Sequence, residues 1–214
     1  PPQAAGNHVV TRVTLYPTLA IRGLQAAINT SGSKYLGEHN DRAFVTMAFA
    51  CIVAAVALGL LCTVVILSFS ERIFAFYTDE KDVLAALAPT PVAMAVQVSC
   101  NLVTTVVAGV VVASQEFRLQ SIVYGSGLLL VFTPIVLFVA NDPKIEMSIA
   151  WLLWANAAYQ CWLCAGQVYI ATVYVPRKLR RQGVQRDEQA AERGRRDGKR
   201  LHAALLAGVS IGSE

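Results

Sequence analysis

The sequence predicts an all-α, polytopic helix bundle embedded in a bilayer, with about five transmembrane helices and a basic tail behind them. Three observations carry this prediction. Hydrophobic residues make up 55% of the 214 positions, charged residues only 15%, and mean hydropathy is +0.50. An average globular chain carries about 25% charge. The few charges are also segregated: 15 of the 32 fall in 176–214. Finally, 43–70, 83–113, 119–140 and 148–175 contain no Asp, Glu, Lys, Arg or His. Each exceeds the run of about 18 apolar residues that a spanning helix needs. Together these features exclude a disordered chain, a coiled coil, a disulfide-stapled secreted module and almost any soluble enzyme.

The first segment, 9–30, is largely apolar but carries Arg12 near one end and Arg22 near the middle. A central Arg costs about 2.5–3.5 kcal/mol on insertion, while each Leu, Ile or Val returns about 0.3–0.6. Alone the segment inserts poorly; within a bundle it inserts if Arg22 meets protein or water. It counts as the fifth span. In hydrocarbon each backbone polar group must be satisfied within its own segment, so the four uncharged runs are helices despite their valines. At about 1.5 Å per residue, 43–70 is about 42 Å long against a core of about 30 Å, and must tilt or project. Pro89 and Pro91 should break 83–113 near its start, leaving a span that begins near Val92. The tail 176–214 carries ten basic residues, with a net charge of +6 over 176–200. Gly183, Gly194 and Gly198 weaken any helix there. Two roles stand for it: a solvated extension, or a polybasic stretch that holds anionic lipid.

The connections alternate in charge. Lys34 and Arg42 in 31–42, Arg118 in 114–118 and the tail lie on one side, with Arg72, Lys81 and Lys144 on the other. The positive-inside rule puts the basic side, and with it the carboxyl-terminal tail, in the cytoplasm. Cys51, Cys62, Cys100, Cys161 and Cys164 all lie within apolar runs. They read as small buried hydrophobes, the Cys161-Trp162-Leu163-Cys164 spacing included, since no second pair or histidine accompanies it. The chain opens on Pro1-Pro2, shows no signal peptide, and suits a piece of a longer polypeptide. His8, His39 and His202 fall in three separate segments, which speaks against a membrane enzyme. Tail charge alone does not make a nucleic-acid binder of a membrane-locked chain.

The connecting residues carry a family resemblance. After the first span comes Ser33-Lys34-Tyr35-Leu36-Gly37-Glu38-His39-Asn40-Asp41-Arg42-Ala43. After the second comes Glu71-Arg72-Ile73-Phe74-Ala75-Phe76-Tyr77-Thr78-Asp79-Glu80-Lys81-Asp82-Val83. Pro89 and Ser114-Gln115-Glu116-Phe117-Arg118 follow in the same order. Over about 12–175 this order resembles the carboxyl-terminal lobe of multidrug and toxic compound extrusion (MATE) transporters. The sequence departs from that pattern in having Ser33 where the family usually has Gly, a Gly37 turn one residue shorter, and a tail without counterpart. The residues also have plain physical readings as helix connectors: Gly37 for a positive-φ turn, Asp79 and Asp82 to cap or charge the start of the third span.

Candidate functional residues sit on two polar stripes. Gln97, Asn101 and Thr104 with Thr105 recur on one face of the third span; Asn156, Gln160 and Gln167, with Tyr159 and Tyr169 nearby, mark the fifth. Such stripes either line a water-filled cavity for an amphipathic solute or hydrogen-bond helix to helix. Trp151, Trp154 and Trp162 either stack on an aromatic cation or, for the first two, belong to an interfacial belt. Arg22 is either a charge in a wet crevice or a cavity cation that selects anionic or zwitterionic solutes. No carboxylate lies within the four uncharged runs, and no metal-ligating or catalytic set is present.

The resemblance implies a secondary antiporter exporting organic solutes or xenobiotics against H⁺ or Na⁺, working with a missing amino-terminal lobe that holds the coupling site. No organic cofactor is expected; the partners are the bilayer, the solute and that lobe. Two alternatives stand: a lipid-linked oligosaccharide flippase of the same superfamily, which needs several cavity cations, and a truncated, non-transporting membrane scaffold.

Overall fold

A computed structural model describes residues 2–141 and 149–209. Two compact units divide the chain, 1–173 and 174–214. The described residues of both are helical, without strands. The first unit holds α1 (Pro2–Gly37), α2 (Asp41–Tyr77), α3 (Lys81–Leu87), α4 (Pro91–Ala113), α5 (Phe117–Gly127), α6 (Thr133–Asn141) and α7 (Ile149–Tyr169). Lys144, assigned above to an outer connection, lies outside the described residues.

Pro89 and Pro91 break the uncharged run 83–113 as expected. α3 ends at Leu87, and α4 starts on Pro91, where its missing N–H has no partner to lose. Thr90, fully buried, closes the gap by donating its hydroxyl to the Leu87 carbonyl at 2.6 Å. Two further prolines reshape helices from within. Pro134 and Pro176 each follow a π-helical turn, Leu128–Phe132 and Ile170–Tyr174. A proline lacks the N–H for an i→i−4 bond and crowds the carbonyl it would have met; widening the preceding turn relieves both. Thr133 fits this account, donating its hydroxyl to the Leu128 carbonyl five residues back at 2.8 Å. In α2 the backbone departs from helical angles at Phe69, and the Arg72 guanidinium lies 5.9 Å above the Phe69 ring.

The turn after α1 differs from expectation. Gly37 is helical; the left-handed residue is His39, with φ 58°. The His39 N–H reaches the Leu36 carbonyl and the Asn40 N–H the Tyr35 carbonyl, a Schellman closure in which position C′ falls on histidine. Gln115, φ 59°, closes α4 in the same way through Val112 and Val111. Asn40 then caps α2, its Oδ1 accepting from the Ala43 N–H at 3.2 Å. Because the left-handed conformation costs a non-glycine residue roughly 1–2 kcal/mol, His39→Gly is expected to stabilise the unit by about 1 kcal/mol in a denaturant titration. At the next connection Asp82 occupies the first turn of α3, but Asp79 caps nothing there. The Glu80 N–H instead bonds Thr78 Oγ1.

α4 is the centre of the bundle, with α1, α2 and α7 packed around it. Fourteen of its residues are buried, among them Leu102, Val106, Val107 and Val110. Small residues set the closest approaches. A Cβ on Gly109 would sit 2.9 Å from the Gln25 carbonyl oxygen of α1. Between α2 and α4, Ser99 donates to the Gly59 carbonyl at 2.8 Å and stands 2.6 Å from Thr63 Oγ1.

Three helical stretches among the described residues are long and apolar enough to cross a membrane: Asp41–Tyr77, Pro91–Ala113 and Phe117–Asn141. α2 turns Phe49, Val53, Leu60, Leu61 and Val64 outward, and the 117–141 stretch exposes Leu129, Leu130 and Phe138. An apolar surface of that extent belongs against lipid. α1 and α7 cover the other two expected spans but fall short in apolarity. α1 carries Arg12 and Arg22, and α7 carries Asn156, Gln160 and Gln167.

In the second unit, α8 (Val175–Val209) is helical through all three glycines, against the expectation from their propensity. Arg and Glu are good helix formers, and pairs such as Arg196–Glu192, 2.8 Å apart at i, i+4, support the helix.

Candidate functional site: a polar cavity in the first unit

A polar cavity of about 300 Å³ opens among α1, α4, α5 and α7. Thr18, Arg22 and Gln25 reach it from α1, spaced i, i+4 and i+7 on one helical face. Asn101, Thr104, Thr105 and Ala108 form the α4 wall, Tyr124 comes from α5, and Tyr159, Gln160 and Leu163 come from α7. Asn101 Nδ2 donates to Thr18 Oγ1 at 2.9 Å, tying the α1 and α4 walls together at this level. Arg22 is exposed at the cavity and makes no ion pair with a described residue. Gln160 Oε1 is buried without a protein hydrogen bond. The walls therefore offer donors, acceptors, two phenol rings and one fixed positive charge within a bundle whose outer faces are apolar.

Six residues singled out from the sequence meet here: Arg22, Asn101, Thr104, Thr105, Tyr159 and Gln160. Gln97, Asn156 and Gln167 do not line the cavity. Gln167 is completely buried, and neither of its amide atoms finds a protein partner. Gln97 and Asn156 are half-buried. Thr18, Gln25 and Tyr124 were not anticipated. The first two share the stripe of Arg22, so their spacing held the signal; Tyr124 carried none.

The tryptophans have separate surroundings. Trp162 donates its indole N–H to Ser126 Oγ at 3.2 Å and lies against Gly127, which makes it a clasp between α5 and α7. Trp151 and Trp154 border an apolar groove with Pro89, Ile135 and Ala150, in keeping with a belt position. Among the described residues no group of three or more His, Cys, Asp or Glu side chains is arranged to hold a metal ion.

The MatE family model matches residues 3–137, from the start of α1 into α6. The chain belongs to the MatE family. This agrees with the resemblance in the connecting residues, and MatE is a family of membrane transporters. The match begins nine residues earlier than the resemblance and stops short of α7 and α8. No curated protein and no solved structure matches the chain significantly. Within the MatE region lie α1, α4 and α5, three of the four helices that wall the cavity.

Proposed function

We propose that this MatE chain is one lobe of a secondary antiporter that carries a small organic solute by alternating access against a second lobe. The observation that supports this reading is the polar cavity, where four helices turn uncharged hydrogen-bonding groups and one arginine toward a common space. Such a space accepts an amphipathic molecule whose apolar part meets Tyr124, Tyr159 and Leu163. H⁺ or Na⁺ coupling would come from elsewhere, because an intramembrane carboxylate is the usual carrier and the uncharged runs contain none. The charge distribution of the connections favours a cytoplasmic tail in a plasma or organelle membrane.

Arg22 gives the cavity its preference. A guanidinium in a confined, partly dehydrated space hydrogen-bonds a carboxylate or phosphate in bidentate fashion, which favours anionic or zwitterionic cargo. Among the described residues it is the one cation of the cavity wall, fewer than a lipid-linked oligosaccharide with its diphosphate would call for. The test is solute exchange by the full-length protein in proteoliposomes. Arg22→Ala should lower the uptake of anionic solutes relative to cationic ones by about tenfold, the equivalent of one charge-assisted hydrogen bond. An unchanged ratio across both classes would remove Arg22 from solute selection.

A further inference from the structure

Five free thiols lie in the first unit, and two of them meet across a helix interface. Cys100 Sγ of α4 stands 3.5 Å from Cys161 Sγ of α7. Cys164, one turn further along α7, interacts with Cys100 as well. Each member of the close pair adjoins a residue of the cavity wall: Cys100 precedes Asn101, and Cys161 follows Gln160. Cys161 is exposed and Cys100 half-buried. The contact at 3.5 Å thus joins α4 to α7 and is not the Cys161–Cys164 spacing that reads as packing from the sequence. A disulfide needs sulfur atoms about 2.05 Å apart, so the pair must close by about 1.5 Å, within reach of side-chain rotation and small helix displacement.

We propose that Cys100 and Cys161 are an oxidisable pair that a hydroperoxide converts into a disulfide, stapling α4 to α7 beside the cavity. The chemistry balances with hydrogen peroxide as the two-electron acceptor. The exposed Cys161 sulfur attacks one peroxide oxygen, the O–O bond breaks, and a sulfenic acid and one water form. The Cys100 sulfur then displaces the hydroxyl group from Cys161, the S–S bond forms, and a second water leaves; both waters take up the thiol protons. A small neutral peroxide can reach Cys161 through the exposed face of α7 or through the polar cavity beside Gln160. Once formed, the bond fixes the separation of the Asn101–Thr104 wall from the Tyr159–Gln160 wall. Cross-linking stands on thiol geometry alone, whereas any effect on transport rests on the antiporter reading above.

The experiment uses the full-length protein in membrane vesicles, treated with hydrogen peroxide, alkylated, denatured and cut with trypsin. Cleavage after Lys81, Arg118, Lys144 and Arg177 places Cys100 on peptide 82–118 and Cys161 with Cys164 on 145–177. Mass spectrometry should find these two joined, at least about tenfold above any link to peptide 43–72, which carries Cys51 and Cys62. The joined species should persist in Cys164→Ser, vanish in Cys161→Ser, and return to free thiols under dithiothreitol. Absence of the joined species at peroxide levels that oxidise the methionines would overturn the proposal. So would an equal yield in Cys161→Ser, which would assign the link to Cys164, or equal linkage to 43–72, which would mean indiscriminate oxidation. Solute exchange that falls on oxidation and recovers on reduction would tie the staple to the cavity. Exchange that stays constant while the link forms counts against the antiporter reading only.

Discussion

Gly109→Val is expected to separate α1 from α4 and cost the first unit about 3 kcal/mol or more, at the upper end of what overpacking does. At this position a Cβ would lie 2.9 Å from the Gln25 carbonyl oxygen, 3.3 Å from Gln25 Cγ and 3.4 Å from Ile28 Cβ. The first of these is backbone, which cannot rotate away as a side-chain tip can. The two γ-methyl groups of valine would meet the same wall, so the helices must part. Their parting removes the hydrogen bond from Asn101 to Thr18 and opens the cavity on its α1 side. Gly109→Ala should lie between wild type and Gly109→Val. Gly23→Ala, on the same α1 but with nothing within 4 Å, should be neutral or stabilising, since alanine is the better helix former. Thermal unfolding of the three variants in detergent measures the order. Equal stability of Gly109→Val and wild type would mean that α1 and α4 do not approach this closely.

The second large effect separates the interior of the bundle from its lipid face with a single type of substitution. Leu102, at the centre of α4, is 0% exposed, whereas Leu60 on α2 is 62% exposed. Leu102→Ala leaves a void lined by α4's neighbours and forfeits the dispersion contacts of the removed atoms; about 2 kcal/mol is expected. The transfer term that enlarges such losses in water is small here, because the unfolded segment stays in lipid. Leu60→Ala exchanges one lipid contact for another and should leave stability within about 0.5 kcal/mol. Denaturant titration of both variants in mixed micelles gives the comparison. A loss at Leu60 as large as at Leu102 would place α2's outer face against protein.

The helical segments were legible because hydrocarbon leaves a chain little choice: an uncharged run of 22 residues or more is a helix, and paired prolines interrupt it. What escaped the sequence is of two kinds. One concerns the backbone between helices. Gly37 looked like the turn residue on conformational freedom, yet the closure falls two residues later, where hydrogen bonds to Tyr35 and Leu36 compensate His39 for its strained φ. The other concerns the site. Helical periodicity tells which residues share a face of their own helix, not how far along it the neighbouring helices reach. Asn101 and Thr104 were therefore legible as a stripe, but nothing in that stripe says that Gln97 misses the cavity. The same blindness hid Tyr124, which reaches the cavity through the placement of α5 against α7. α8 departs from the propensity of its three glycines because the arginines and glutamates between them favour the helix and pair along it.

The split between the three strongly apolar stretches and the two weaker ones, α1 and α7, bears on how the protein is made. α1, which turns Thr18, Arg22 and Gln25 to the cavity, and α7, which turns Tyr159 and Gln160 to it, are less able to partition into lipid unaided than α4. α1 leaves the ribosome before α4, and the α4 surface that packs against it is complete only after Ala113, 76 residues beyond Gly37. At about 5–20 residues per second this leaves α1 waiting roughly 4–15 s at the insertion machinery before its companion arrives. Biogenesis of this bundle thus calls for a holding step at α1, and slowing of synthesis across α2 and α3 would lengthen the interval in which that helix stands without its partner.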